Sequence, residues 1–244
     1  MDTEGRNPGA GPGVRVRVPR PLAIAALCAA ALICAASTAS AAPVRLLGTV
    51  LDGDAVDAPD AAQDSQWGLM ASSGVANVRT SFSWAEAQPR AGRPFDFSRS
   101  DRIVRLAAAH GLSVLPVVQY APAWARAYRT RPSSPPRREA DYTAYLSALI
   151  GRYGPSGSFW AENPALPRSP LREWQIWNEP HLLTYWDAPR RSRWGHPRGY
   201  MRLLKASHRA IKRADPGAKL VLAGLTQLAW NEITRLYHRG AGRY

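Results

Sequence analysis

Residues Leu112–Tyr120 read LSVLPVVQY, a nearly continuous apolar run that ends on an amide and a tyrosine. A strand with one face in water alternates apolar and polar side chains. A run without that alternation fits a strand covered on both faces, which is how strands read in a parallel sheet. Parallel strands need long crossovers, usually helices. The flanking residues supply them. Asp101–His110 places Ile103, Leu106, Ala107 and His110 at helical spacing, and Gly111 closes it. Glu139–Tyr153 carries Tyr142, Tyr145, Leu146, Leu149, Ile150 and Tyr153 in one stripe.

The alternation continues outward in both directions. Val44–Leu51, Val75–Trp84, Leu171–Asn178 and Lys219–Leu225 read as further strands. Asp64–Ser73, Arg198–Ala214 and Asn231–Arg239 read as further helices, the second with Tyr200, Leu203, Leu204 and Ile211 on one face. The class is α/β. A doubly wound dinucleotide-binding sheet wants a glycine-rich first turn, and Leu51-Asp52-Gly53-Asp54 is not one. Long loops follow the third and fourth strands, on the face where β/α barrels keep their sites. The expected architecture is a (β/α)8 TIM barrel, present as an incomplete barrel of about five β/α units.

The first 41 residues stand apart. Arg15, Arg17 and Arg20 precede the apolar run Leu22–Ala36, and Ala39-Ser40-Ala41 has the small-x-small form of a signal-peptidase site. This is a secretory signal peptide over residues 1–41, cleaved near Ala41, with residues 42–244 forming the exported domain. The apolar run is shorter than the roughly 20 residues a spanning helix needs, so no stable membrane insertion is expected after cleavage. Cys28 and Cys34 both lie in the signal, which leaves an exported, extracellular protein without disulfides or thiol chemistry.

The net charge of +14 invites a reading as a nucleic-acid or acidic-polymer binder. The basic residues are nearly all arginine, are scattered along the chain and belong to an exported protein, so nucleic acid is not the expected partner. No metal or other cofactor is expected. His110, His181, His196, His208 and His238 are far apart, and no two form an HxH or HxxxH pair.

The chemistry concentrates in Glu173–Trp186, EWQIWNEPHLLTYW. An apolar strand there ends on Asn178 and Glu179, directly before Pro180, which cannot donate to a ladder. An ideal pleat sends neighbouring side chains to opposite faces, so both reach the barrel mouth only if the strand bends or ends. Beside Trp177, Glu179 would be partly desolvated, which suits a general acid. Asn178 offers two donors and an acceptor for a sugar hydroxyl, and tryptophans offer flat faces for pyranose rings.

Trp177-Asn178-Glu179-Pro180 resembles the signature of the clan A glycoside hydrolases, the retaining β/α-barrel glycosidases. Val78-Arg79 with Ser83-Trp84, the loop Ala121-Pro122-Ala123-Trp124, YGPSGSFWAENP before the fourth strand and ADPGAKLVLAGL at the fifth are also similar. The nearest likeness is to the β-xylosidase and α-L-iduronidase family or to cellulase-like relatives. The resemblance implies a secreted glycosidase acting on O-glycosidic bonds of an oligo- or polysaccharide. Glu179 would be the general acid/base, Asn178 would hold the sugar 2-hydroxyl, and Arg79 would lie on the barrel floor and orient carboxylates. Trp84, Trp124, Trp186 and Tyr120 would be candidate walls of the sugar subsites.

A retaining glycosidase also needs a nucleophilic carboxylate about 5–5.5 Å from the first. The resemblance implies that it comes from a seventh strand, and only five strands are legible here. Beyond Asp187 the carboxylates are Asp215, in a turn at the far end, and Glu232. Trp230-Asn231-Glu232 echoes the motif but opens a helix, with Asn231 suited to the N-cap and Glu232 to the first turn. The expectation is the N-terminal part of a glycosidase, Gly240–Tyr244 leading into a sixth strand, with little activity alone. Its rivals are an inactive carbohydrate-binding remnant and a basic protein that binds acidic polymers.

Overall fold

In the computed structural model of the chain, residues 47–51, 57–226 and 229–244 are described. The signal segment 1–41, residues 44–46 of the first expected strand and residues 52–56 of the loop after it lie outside them. Five strands form one sheet: β1 Leu47–Leu51, β2 Val75–Ser83, β3 Ser113–Gln119, β4 Glu173–Ile176 and β5 Lys219–Val221. Every pairing is parallel, and the spatial order is the chain order. That order separates the two expected architectures. Right-handed crossovers that always step in one direction put every helix on one face of the sheet. A doubly wound sheet reverses direction midway and covers both faces. This sheet is therefore singly wound, as in a β/α barrel, and among the described residues it is open.

The crossovers are α1 Asp60–Ser72, α2 Trp84–Ala87, α3 Ser98–Ala109, α4 Glu139–Tyr153, α5 Ser158–Glu162, α6 Arg198–Ala214 and α7 Trp230–His238, followed by a 3-10 turn at Ala241–Arg243. Helix α4 forms where its stripe predicts, and all six stripe residues are buried. Glu139 and Asp141 in its first turn and Arg152 in its last complement the helix dipole. Gly154 ends it, where a Cβ would lie 2.6 Å from the Ile150 carbonyl oxygen.

Strand side chains alternate between two different environments. Val78, Phe82, Val118, Trp174 and Ile176 join the helices in one core and are essentially fully buried. Such burial is worth about 1.5–3 kcal/mol for a side chain like Phe82 or Ile176. Arg79, Ser81, Gln119 and Gln175 point to the opposite face and bond to one another. Gln119 Nε2 donates to Ser81 Oγ at 3.1 Å, and Arg79 Nε donates to Gln175 Oε1 at 2.9 Å. At the rim Arg152 ties three helices together, 2.6 Å from Asp101 on α3 and 2.7 Å from Glu162 on α5.

Several expected boundaries move. The strand expected to run through Trp84 stops at Ser83, whose hydroxyl caps the short helix that Trp84 begins. The loop expected over Gly154–Pro170 contains α5, too short for its periodicity to show. Gly240–Tyr244 winds into the 3-10 turn and sets Tyr244 against His208 at a ring separation of 5.3 Å. Helix α7 starts at Trp230, so Asn231 is not its N-cap. Ala229 holds that position, with no side-chain bond. No helix among the described residues is long and apolar enough to cross a membrane.

Candidate active site

The site is built where β3 and β4 end. Strand β4 stops at Ile176, two residues before the expected boundary, because Trp177 turns into the left-handed region at φ 67°. Tyr120, directly after β3, has φ 62°, and Glu179 has φ 39°. Left-handed backbone is uncommon outside glycine, and for bulky residues it costs about 1–3 kcal/mol. Three such residues lie within four positions of two adjacent strand ends. The turn at Trp177 breaks the pleat, which frees Asn178 and Glu179 from alternating across the sheet.

The next strand pins the freed segment. Asn178 forms a single parallel bridge with Gly224, and the Glu179 N–H donates to the Gly224 carbonyl at 3.0 Å. From β2, Arg79 reaches across β3. Its Nη2 donates to Asn178 Oδ1 at 2.7 Å while its Nε holds Gln175. Arginine only donates, so the carbonyl sides of both amides must face it. Gln175 then turns its NH2 to the Trp177 carbonyl at 2.9 Å. The Asn178 NH2 is thereby left as a donor, and the next residue is the half-buried Glu179. Arg79 thus fixes the orientation of two amides, Gln175 and Asn178. A Cβ on Gly224 would stand 3.1 Å from Asn178 Oδ1 and 3.3 Å from Arg79 Nη2, so a side chain here would press on the Arg79–Asn178 pair.

The expected aromatic walls separate into two groups. Trp84 is 0 % exposed, stacked on Tyr145 and edge-on to Trp124, and its Nε1 donates to Gln88. Trp186 is 2 % exposed, packed edge-on against Trp177 and Tyr200, with Nε1 donating to the Trp194 carbonyl. Neither has a free face for a sugar ring; both are core residues that hold the loops after β2 and β4. Trp124 and Tyr120 remain half-exposed, Trp124 anchored by its Nε1 to the Gln88 carbonyl at 3.0 Å and Tyr120 through its carbonyl to the Ala85 N–H at 2.9 Å. Trp177 itself is fully buried, against Tyr142 and Trp186.

The carboxylates after the motif are all engaged. Asp187 pairs with Arg131 at 2.7 Å and Asp215 with Arg172 at 3.7 Å, the latter at the N-terminal end of the sheet. Glu232 binds Arg235 and lies 3.4 Å from His196 Nδ1. That last group belongs to a cleft of about 540 Å³ beside the motif, lined by Pro180, His181, Trp186, His196 and Glu232 together with arginines. Burial, with His181 and then Arg190, Arg235 and Arg239 nearby, pushes His196 down to about 4, so it is neutral at pH 7. Sequence reading treated these histidines singly and missed their convergence. The only signal was the echo of the motif at Trp230-Asn231-Glu232. Among the described residues no cluster suited to a metal ion occurs.

No family model matches the chain, and no curated protein matches it. Solved structures do. A monomeric β-xylosidase from Caulobacter crescentus CB15 matches with a TM-score of 0.60 and 16 % identity, over 80 % of this chain and 39 % of its own. A family 39 glycoside hydrolase from Bacteroides cellulosilyticus WH2 matches with a TM-score of 0.51 and 19 % identity, over 72 % of this chain and 30 % of its own. An exo-β-1,4-mannosidase from Opitutaceae bacterium strain TAV5 matches with a TM-score of 0.50 and 21 % identity, over 73 % and 31 %. The chain spans well under half the length of each. The architecture these comparisons define is a β/α barrel, present here as an incomplete barrel.

Proposed function

We propose that the chain is the part of a secreted retaining glycosidase that supplies the general acid/base, Glu179, and the substrate-orienting amide, Asn178. One observation carries this reading. The left-handed turn at Trp177, the bridge to Gly224 and the double grip of Arg79 together fix two consecutive residues, an amide and a half-buried glutamate, at the C-terminal end of a barrel strand. Glu179 would protonate the leaving oxygen and then activate water, while Asn178 would donate to a sugar hydroxyl. The half-exposed Trp124 and Tyr120 would be sugar contacts. The nucleophile would come from outside the described residues, since Asp187, Asp215 and Glu232 are committed to ion pairs. Export would follow from the signal in residues 1–41.

The test is Glu179→Gln in the protein that hydrolyses glycosides. Turnover of substrates with poor leaving groups should fall by about 10²–10⁴-fold, and glycosides with activated aryl leaving groups should lose far less. An equal loss on both substrate kinds would remove Glu179 from the acid/base role. The engaged carboxylates favour one second reading for residues 42–244 alone, saccharide binding without turnover. Hydrolysis by that segment unaided would exclude it.

A further inference from the structure

The outer face of α6 differs from that of its neighbours. Over 17 residues the helix carries Arg198, Arg202, Lys205, Arg209, Lys212 and Arg213 and no acidic residue. Positions 198, 202, 205, 209 and 212 are spaced by four and three, so they form one row about 21 Å long. Tyr200, Leu203, Leu204 and Ile211 fill the core on the other side, and every basic residue but Arg202 is exposed. Among the described residues, only Arg202 of the six has an acidic partner, Glu139. Like charges at four-residue spacing repel, and Arg198 in the first turn opposes the helix dipole. Helices α3, α4 and α7 each mix the two signs. An arginine-rich composition does not explain why acid is missing from one face. Two of the chain's three lysines also lie in this row.

An exposed apolar row borders the basic one. On α7, Trp230, Ile233 and Tyr237 share a face and are 66 %, 43 % and 61 % exposed. The turn after α7 joins the two rows. Tyr244 packs against His208, and Lys205 Nζ lies 6.0 Å from the centre of its ring. Tyr237 in turn reaches Gly242, where a Cβ would lie 3.0 Å from its ring. Basic side chains beside exposed tryptophan and tyrosine suit the surface of a lipid bilayer. Arginine and lysine meet anionic headgroups, and amphipathic rings enter the interface. A soluble polyanion would meet the charges and leave the apolar row in water.

We propose that the outer face of α6, with the apolar row of α7 beside it, docks the protein on a membrane surface rich in anionic lipid. The contact is peripheral, since no helix among the described residues is long and apolar enough to cross a bilayer. It uses none of the residues at the strand ends and does not rest on the glycosidase reading.

The experiment titrates the full chain at low salt with vesicles of phosphatidylcholine, and with vesicles that also hold about 30 % phosphatidylglycerol, and reads the lipid concentration at half-binding. The anionic vesicles should bind about 100-fold better, and added salt should shrink that advantage. Arg198→Gln, Arg209→Gln and Arg213→Gln together should raise the midpoint on anionic vesicles about 100-fold, and lysine at the same positions should restore most of the binding. Gln at Arg90, Arg93 and Arg129, exposed elsewhere, removes the same net charge and should shift the midpoint less than about threefold. Residues 1–41 are common to all variants, so their own affinity for lipid cancels in these ratios. Trp230→Ser should weaken vesicle binding about fivefold and leave binding of dextran sulfate unchanged. All the substituted side chains are exposed, and a thermal melt checks the fold. Equal losses from the two triple variants would mean that net charge alone acts, and would overturn the face. Vesicle binding indifferent to Trp230→Ser, with dextran sulfate held by the same three arginines, would replace lipid with a soluble polyanion. A dimer that sediments without lipid and is lost on Trp230→Ser would assign the apolar row to a second copy and overturn the proposal as well.

Discussion

Arg79 bonds two amides that belong to the same strand end, and this makes it the residue on which the site's geometry depends. Without it, Gln175 Oε1 has no donor in a position 3 % exposed, and the Asn178 amide is free to flip. Arg79→Met should lower the free energy of unfolding by about 1–3 kcal/mol in denaturant titrations. Arg79→Lys should recover only part of that, since one ammonium cannot reproduce the fork. His196 makes a pH prediction. Its value in the folded chain is depressed from near 6.5 to about 4, chiefly by burial. Between those values the unfolded chain takes up a proton that the folded chain refuses. Stability should therefore fall as pH drops from about 6.5 to about 4. His196→Gln should flatten that part of a melting-temperature profile. An unchanged slope would mean that the fold accommodates the protonated ring.

At the scale of elements, two helix tyrosines bond backbone carbonyls at the ends of β3 and β4. Tyr142 on α4 donates to the Val118 carbonyl at 2.8 Å, and Tyr200 on α6 donates to the Ile176 carbonyl at 3.0 Å. Tyr200 also accepts from the buried Ala223 N–H at 2.8 Å, whereas Val118 keeps a second donor in the Trp177 N–H at 3.0 Å. Tyr200→Phe should thus cost more than Tyr142→Phe, by about 1 kcal/mol, because only the former strands a buried N–H. A chemical-denaturation comparison of the two variants decides it. The same bonds explain which parts of the fold were legible in the sequence. Helices α4 and α6 form over the residues their apolar stripes mark, because a stripe repeats over several turns. The last two strands are shorter than their apolar runs. Trp177 turns left-handed and tyrosine hydroxyls take over backbone groups, and neither event leaves a periodic trace. Asn178 and Glu179 stood out because polar residues ending an apolar strand are visible locally. The grip of Arg79 on Gln175, 96 positions apart, was not visible. Whether a tryptophan faces the core or the mouth was equally hidden, so Trp84 and Trp186 were read as walls.

For the whole molecule, the decisive feature is a sheet wound in one direction only. Its helices all lie on one face, and the other carries a hydrogen-bonded polar set, Arg79, Ser81, Gln119 and Gln175, where an open sheet of another class would place a second layer of helices. Export, proposed from the first 41 residues, belongs to this scale as well. Protein recovered from the medium of a secreting host should begin at Ala42, as read by N-terminal sequencing. An intact Met1 or a membrane-retained product would contradict the signal.

The left-handed residues at the strand ends have a consequence for anyone who redesigns this chain. A procedure that ranks positions by backbone preference would write glycine at 120, 177 and 179. It would gain stability on paper and erase the carboxylate in the same step. Tolerance to substitution and usefulness should therefore run in opposite directions along this short arc of backbone. A stabilised descendant of the protein is best sought by leaving that arc alone and changing the helices that support it.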